Sequence, residues 1–544
     1  MATYPKPRFI YNDDTCTLRT APPPHTVEDI YLAVDYLKDT QVDCLCWCVG
    51  SGVAYAWPSK VIENIYDLKD KGISCGNWDN GRDIMYSLHK QGIDYLPLLI
   101  QRAHSHGIKF VASFRMNDTH LKSDPNSYLT PEFWKTHQHY RLWGSDDAKS
   151  YYNAALDYSF PEVRNRYRDS IAEVLEMYDV DGVELDFSRS PYFFNPSEAW
   201  AKRKILTRFV RDISSLLERE GKRKKRSLKL ILRVISRERV LTTAGIDLRK
   251  WIKERLAPIL VITENCGNFN QDIEHWRNLC KQASVSLYPA ASSGVAAAYN
   301  KDFYSTQVRN PQGPRHDGQV RLSEYEESCA DRAIAQNLLS QKPDGIAKFN
   351  FPCWLAEGEN IMHTNPAKFK RVTSLLRELG SLKTLAGKDK RYLFYQDLPI
   401  YVEANRPRQF HQTIPFTIRG KDIRDAKVIL RWRWIAEKSP HAAGKFRQNP
   451  IVKPGLLKCY LNDQEIDDKK LKKNKAPGGR IPSGFLLKQH EIVELHVPGS
   501  KIKDGVNTLA FEMLKPPHER DPYVYIYDLD VNVKFGRKKG KEKQ

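Results

Sequence analysis

From residue 8 to about 385 the chain alternates short apolar runs with longer amphipathic stretches, eight times over. Repeated strand-helix pairs are the pattern of a parallel sheet with helical crossovers, and eight of them predict a closed (β/α)8 barrel. The expected strands are Arg8–Tyr11, Val42–Val49, Ile108–Phe114, the run through Val183 to Phe187, Leu228–Ile235, Ile259–Ile262, Val285–Tyr288 and Gly345–Phe351. Helices are expected over 27–39, 94–106, from Ser159 to Tyr178, over 197–220 and 247–256, from Ser323 to Ser340, and within 366–379. Ser159 with Glu162, and Ser323 with Glu326, have the S-x-x-E form of a capping box, and Gly221 reads as a helix stop before the solvated turn Lys222 to Arg226. The segment 50–92 reads as a long excursion. A doubly wound sheet would need a glycine-rich phosphate turn after its first strand, and Tyr11-Asn12-Asp13-Asp14 is not one.

Past residue 390 the rhythm changes to strands separated by Pro, Gly, Asn and Asp turns with no convincing helix, which predicts an antiparallel β-sandwich. The expected organisation is therefore a barrel over 1–390, a sandwich over 391–535 and a basic tail over 536–544. Within the sandwich, Lys469, Lys470, Lys472, Lys473 and Lys475 read as a basic loop. The formal charge of +20 is concentrated here: residues 391–544 carry 31 Lys and Arg against 18 Asp and Glu, so +13 of it is C-terminal. Such a field favours anionic partners without choosing among acidic glycan, nucleic acid and membrane surface, and it equally serves solubility.

Chemistry is expected at the C-terminal ends of the barrel strands. In the fourth strand Val183, Leu185 and Phe187 point one way while Glu184, Asp186 and Ser188 point the other, so two carboxylates share a face. A buried parallel strand is normally apolar on both faces. Around it, strand ends contribute Asp13 and Asp14, then Arg115, Asn117, Asp118 and His120, then Arg233, Glu264, Tyr288 and Asn350 with Trp354 nearby. Glycoside hydrolysis needs two carboxyl groups, one protonated and one ionised, with aromatics to stack on sugar faces and amides or arginines to bind hydroxyls. Asp186 is expected as nucleophile or base, Glu264 as general acid and Glu184 as support. Arginines at the mouth and a basic sandwich favour an acidic sugar, sulfated or uronic.

Three stretches carry a family resemblance: Asp181-Gly182-Val183-Glu184-Leu185-Asp186-Phe187 followed by Arg189, Lys109 to Asp118 before it, and Asp344-Gly345-Ile346. They resemble the family-10-like glycosyl hydrolases over roughly residues 8 to 385. The resemblance implies a barrel that cleaves oligo- or polysaccharide, often followed by a β-sandwich, and puts Arg189 beside the site. The fourth strand also resembles the D-G-x-D-x-D-x-E signature of chitinase-type barrels, but Glu184 replaces an aspartate and Ser188 stands where the catalytic glutamate belongs.

Other readings of the same residues are a noncatalytic glycan-binding barrel and a metal-dependent barrel hydrolase. The second would want H-x-H ending the first strand, whereas His104-Ser105-His106 and His137-Gln138-His139 fall at a helix end and in a loop. No cofactor or metal is expected. Nucleic-acid binding would rest on charge alone, with no recognisable module. No run of 18 apolar residues occurs and the chain as given starts without an apolar leader, so membrane insertion is not expected; the placement is cytoplasmic unless a signal peptide was removed. Cys44, Cys46 and Cys48 lie on one strand with parallel side chains and no CxxC occurs, which fits reduced core thiols. Oligomeric state is not set by these patterns.

Overall fold

The computed structural model describes residues 6–18, 24–50, 56–73, 80–119, 132–142, 155–264, 271–291, 323–351, 366–394, 400–404, 412–436, 452, 455–480, 486–515 and 523–536. Eight parallel strands close a barrel in chain order: β1 Phe9–Asp13, β2 Cys44–Gly50, β3 Lys109–Arg115, β4 Gly182–Asp186, β5 Lys229–Ile235, β6 Ile259–Thr263, β7 Ser286–Ala291 and β8 Ile346–Phe349. β8 pairs with β1 to complete the ring, Phe9 opposite Ile346.

Side-chain parity sorts two apolar sets. Ile10, Cys44, Cys46, Val111, Ile231, Ile259, Val261, Tyr288, Ala290 and Ala347 pack together inside the ring. Their neighbours Phe9, Tyr11, Leu45, Trp47, Phe110, Val183, Leu185, Leu260 and Ile262 belong to the layer between strands and helices. Burial on both faces explains why these strands read as nearly continuous apolar runs. At the N-terminal end of the ring, the Tyr288 hydroxyl donates to the carbonyl of Pro7 at 2.8 Å. Asp181 ties β3 to β4 there, accepting from the Phe110 amide at 2.9 Å, His104 Nε2 at 2.7 Å and Lys109 Nζ at 3.1 Å. Burial pulls the Asp181 carboxyl upward, but His104 and the Phe110 amide outweigh it and hold the group below the usual carboxylate range.

Gly182 follows because β5 comes too near for a side chain: a Cβ at 182 would lie 2.1 Å from the backbone oxygen of Lys229. Gly182→Ala is expected to destabilise the protein by about 1–3 kcal/mol or more, since a backbone atom cannot rotate away. Urea unfolding of the two proteins side by side checks this, with an unchanged midpoint as the contrary result.

The sandwich is two antiparallel sheets. One runs β10 (Ile400–Glu403), β18 (Tyr523–Lys534), β12 (Lys427–Ala436), β16 (Leu486–Pro498), β15 (Leu471–Arg480), with β9 (Lys390–Phe394) on the same edge of β18 as β10. The other runs β11 (Thr413–Ile418), β17 (Gly505–Met513), β13 (Leu457–Leu461), β14 (Gln464–Ile466). Between them Trp432 meets Phe511 edge-on and Phe394 meets Phe416. Asn462 and Asp463, both at positive φ, make the two-residue turn from β13 to β14, as the twist of a tight hairpin demands.

The helix Glu324–Leu339 joins the two parts and is buried nearly all round, including Glu327, Asp331, Gln336 and Asn337. Its Ser323–Glu326 capping box forms. Asn337 gives its amide to the Thr417 carbonyl at 2.8 Å and accepts from the Arg419 amide at 2.9 Å, both at the end of β11. Arg391 of β9 binds Glu326 on one side and Asp530 of β18 at 2.6 Å on the other. Toward the barrel, Asp331 pairs with Lys348 of β8.

Several sequence expectations need correction. Ser159 does not cap the helix Pro161–Met177: its hydroxyl turns back to Asp157, Phe160 is the N-cap, and Pro161 supplies the pre-set first turn. Gly221 lies inside the helix Pro196–Arg223. The basic stretch opens as the short turn Asp468–Lys470 and continues as β15, which places Lys472, Lys473 and Lys475 on a sheet-edge strand. The 50–92 excursion contains helices Ile65–Asp70 and Asn80–Lys90. β9, β14 and the helix Glu238–Ala244 were also too short to read from periodicity.

Candidate active site

Asn12, Ser113, Arg115, Glu184, Asp186 and Arg233 share the inward parity with the lumen residues Ile10, Val111 and Ile231. They form two layers. In the deeper one, Ser113 and Glu184 are cross-strand partners, and Glu184 Oε1 accepts from Ser113 Oγ at 2.7 Å and from the Asn12 amide. Glu184 Oε2 is buried without a hydrogen-bond partner among the described residues. Burial raises the Glu184 carboxyl above its ordinary value; Arg233 opposes, Asp186 adds to the rise, and the Ser113 and Asn12 donors pull down less.

A carboxyl group whose pKa is higher folded than unfolded binds its proton more tightly in the native state. Its contribution to stability is complete below the unfolded value and is lost as pH rises through the folded one. Wild-type stability is therefore expected to fall over that interval above about pH 4.5, the ordinary glutamate value, and Glu184→Gln to flatten the fall. Denaturant midpoints measured from pH 4 to pH 8 (roughly the range bracketing that interval) test this, and parallel curves for the two proteins would contradict it.

The mouth layer is Arg115, Asp186 and Arg233, consecutive across β3, β4 and β5 in register. Asp186 is 3% exposed. Its Oδ1 is fixed by the turn that follows, accepting from the Ser188 amide at 2.8 Å, the Ser188 hydroxyl at 2.5 Å and the Arg189 amide at 3.3 Å. No described donor reaches Oδ2. Arg115 is committed to protein, donating to Asp14 at 2.5 Å and Asp118 at 3.0 Å. Arg233 is 6% exposed and makes no hydrogen bond or ion pair with the described residues; its guanidinium stacks over Phe349 at 4.5 Å. A buried guanidinium facing carboxylates with its own donors unused is an arrangement that a bound anion or hydroxyl completes. Cys48 completes this side of the lumen as a neutral thiol, since burial pushes it up to about 12 while Arg115 pulls it down only in part.

The other sequence-derived candidates divide. Asn117 is structural: its amide clasps the carbonyls of Leu156 at 2.9 Å and Tyr192 at 2.7 Å, holding two mouth loops together. Asp118 braces Arg115, Asn350 accepts from the Asp14 amide at 2.8 Å, and Arg189 is half-buried beside Asp186. Asp13 does not face the mouth. Parity turns it outward, where Oδ2 accepts from Thr17 at 2.8 Å and its charge is felt by Tyr11 and Tyr36. Tyr288 points to the opposite end of the ring, as its bond to Pro7 requires. Glu264, one residue past β6, lies on the β5–β6 rim against Ser236 at 3.5 Å and Arg237 at 3.4 Å. His120 and Trp354 fall outside the described residues. Asn12 was missed, although counting by twos from Ile10 selects Asn12 and Asp14 over Asp13.

Among the described residues no group of His, Cys, Asp and Glu is arranged to hold a metal ion, and no helix is long and apolar enough to cross a membrane. His104 and His106 are bound to Asp181 and Asp35 at 2.7 and 2.8 Å, while His137 stacks on Tyr140 and His139 packs against it at a tilt. Cys44, Cys46, Cys48, Cys280, Cys329 and Cys459 are free and buried.

The inward carboxylates and arginines thus stand at the mouth of a closed parallel barrel that a β-sandwich follows. Residues 31–202, which contain β2 through β4 and the site's Arg115, Glu184 and Asp186, match the family described as Glycosyl hydrolase-like 10. This agrees with the resemblance read from β3 and β4. No protein of curated function matches the chain. Similar solved structures include a cycloisomaltooligosaccharide glucanotransferase from Paenibacillus sp. complexed with cycloisomaltoheptaose, at 9% identity and TM-score 0.34, covering 96% of this chain and 57% of that one. They also include an α-amylase from Geobacillus thermoleovorans complexed with acarbose, at 11% identity and TM-score 0.35, covering 92% of this chain and 97% of that one. A family 20 β-N-acetylglucosaminidase matches at 10% identity and TM-score 0.39, over 70% of this chain and 71% of that one. None of the three is close enough to carry chemistry across.

Proposed function

We propose that this protein hydrolyses glycosidic bonds of an oligo- or polysaccharide bearing anionic groups, with Asp186 as the nucleophile or base. The observation that carries the reading is the pairing, in register, of an Asp186 whose Oδ2 no described donor reaches with an Arg233 that makes no hydrogen bond with the described residues. A carboxylate oxygen that no described donor reaches suits attack or water activation, and a guanidinium with no hydrogen bond to the described residues suits a sulfate or uronate on the sugar. Glu264 is the second carboxyl group, acting as general acid from the β6 rim, and Glu184, one layer deeper on the same face, supports Asp186.

Two substrates that differ only in charge test the substrate class, such as a glycoside and its 6-sulfate or uronic counterpart. The wild type is expected to favour the anionic member, and Arg233→Gln to reduce that preference by about ten- to a hundredfold in kcat/KM, the worth of one charge-assisted contact. Equal preference in both proteins would remove the anionic substrate from the proposal. Glu264→Gln is expected to spare aryl glycosides with acidic leaving groups, which need no protonation, while losing turnover of ordinary glycosides.

A noncatalytic glycan-binding barrel is the second reading, and one observation favours it. The Glu264 carboxylate is engaged by Ser236 and Arg237 on the rim and does not share the inward parity of Asp186.

A further inference from the structure

The barrel's outer wall carries a depression of about 250 Å³ between the helices Pro161–Met177 and Pro196–Arg223. Arg164 and Arg168, one turn apart on the first helix, face Lys204 and Arg208, one turn apart on the second. Ile205 and Phe209 contribute an apolar floor, and Asp212 is the one carboxylate among the lining residues. None of these side chains belongs to the inward face of β1–β8.

Four cations around one depression repel each other, and the protein does little to neutralise them. Arg168 is paired with its neighbour Asp169 at 2.8 Å. Arg164 is half-buried and spends one guanidinium nitrogen on the carbonyls of Tyr158 and Ser159, which fixes its orientation but supplies no countercharge. Lys204 and Arg208 make no hydrogen bond or ion pair with the described residues. Burial lowers the Arg164 pKa, and the nearby Arg208 lowers it further despite Glu162, Asp157 and Asp212. Two packed helices therefore present four cationic side chains to one shared concavity.

We propose that this groove is a binding site for a tetrahedral oxyanion, sulfate or phosphate, either free or as the ester of a sugar. Guanidinium groups match such an anion with paired N–H donors, and Lys204 adds a mobile point charge. The volume exceeds what one ion needs, since a water molecule occupies about 30 Å³ of liquid, and the Ile205–Phe209 floor suits the carbon skeleton of an ester. The site is separate from the barrel mouth, since its lining residues all lie on the two outer helices.

Calorimetric titration of the full-length protein with inorganic sulfate, inorganic phosphate, a sulfated monosaccharide and the unsulfated sugar tests the proposal. The comparison is among wild type, Lys204→Gln/Arg208→Gln and Arg233→Gln, which removes the anion contact at the barrel mouth. One or more of the three anions is expected to bind wild type and Arg233→Gln alike, to bind the double variant at least about tenfold more weakly, as loss of charge-assisted contacts implies, and to weaken with added chloride salt. The unsulfated sugar should not bind the groove. Tighter binding of the ester than of either free ion identifies a sugar ester as the source, and equal or weaker binding identifies a free ion. Both substituted residues are exposed, and an unchanged thermal transition of the double variant establishes that the fold is kept. Absence of binding by all three anions, or binding that the double substitution leaves unaltered, overturns the proposal.

Discussion

Asp186→Asn will keep the barrel folded and reduce kcat by about a thousandfold or more, the range seen when a nucleophile or general base is removed. Asparagine preserves the shape of the side chain, and its amide oxygen still accepts from the Ser188 amide and hydroxyl that hold Oδ1 now. What it removes is the negative charge at Oδ2, the one oxygen of Asp186 that no described donor occupies. The proposed function puts substrate binding on Arg233 and the rim, so KM is expected to move much less than kcat, which separates loss of chemistry from loss of the site. Steady-state kinetics with thermal unfolding of both proteins checks this; comparable kcat values would exclude Asp186 from the chemistry.

Asp331→Ala is expected to cost about 3–5 kcal/mol, the penalty for leaving a buried charge without its partner. Lys348 has no solvent-exposed side-chain surface, and Asp331 is nearly as buried. Among the described residues the Lys348 ammonium otherwise meets the face of Phe351, at 4.0 Å. Because the pair joins β8 to the helix that also carries the sandwich contacts Asn337 and Glu326, its loss should loosen both parts together. Denaturant unfolding measures the loss. The double variant Asp331→Leu/Lys348→Met should recover most of it, since well-packed apolar groups often replace a buried pair at little cost. A single variant as stable as wild type would mean that Lys348 finds another partner or sheds its proton.

The barrel was legible because parallel strands buried on both faces leave long apolar runs, and crossover helices leave a 3.6-residue stripe; both signals are local. The sandwich was legible for the same reason, apart from β9, β14 and β15, which are short or lysine-rich and depend on partners far away in sequence. In β15, only the pairing with β16 makes a strand of Leu471–Arg480. The site was partly legible. Parity within β4 put Glu184 and Asp186 on one face, and the same parity finds Arg115 on β3 and Arg233 on β5. It fails just beyond a strand end, where the turn decides: Asp13 and Glu264 were chosen for charge and position, and the structure turns one toward Thr17 and the other toward Ser236. Tyr288 illustrates another limit, since periodicity tells inside from outside but not which end of the lumen a long side chain reaches. Asn117 shows that a polar residue at the mouth can be occupied wholly with holding loops.

The central claim is that the barrel mouth cleaves glycosidic bonds through Asp186. Its most direct test is release of reducing ends from a panel of neutral, sulfated and uronic oligosaccharides, by wild type and Asp186→Asn in parallel. The account predicts product from the anionic class with wild type and none above background with the folded variant. Oligosaccharides bound equally by both proteins and cleaved by neither would contradict it and identify a glycan-binding barrel instead.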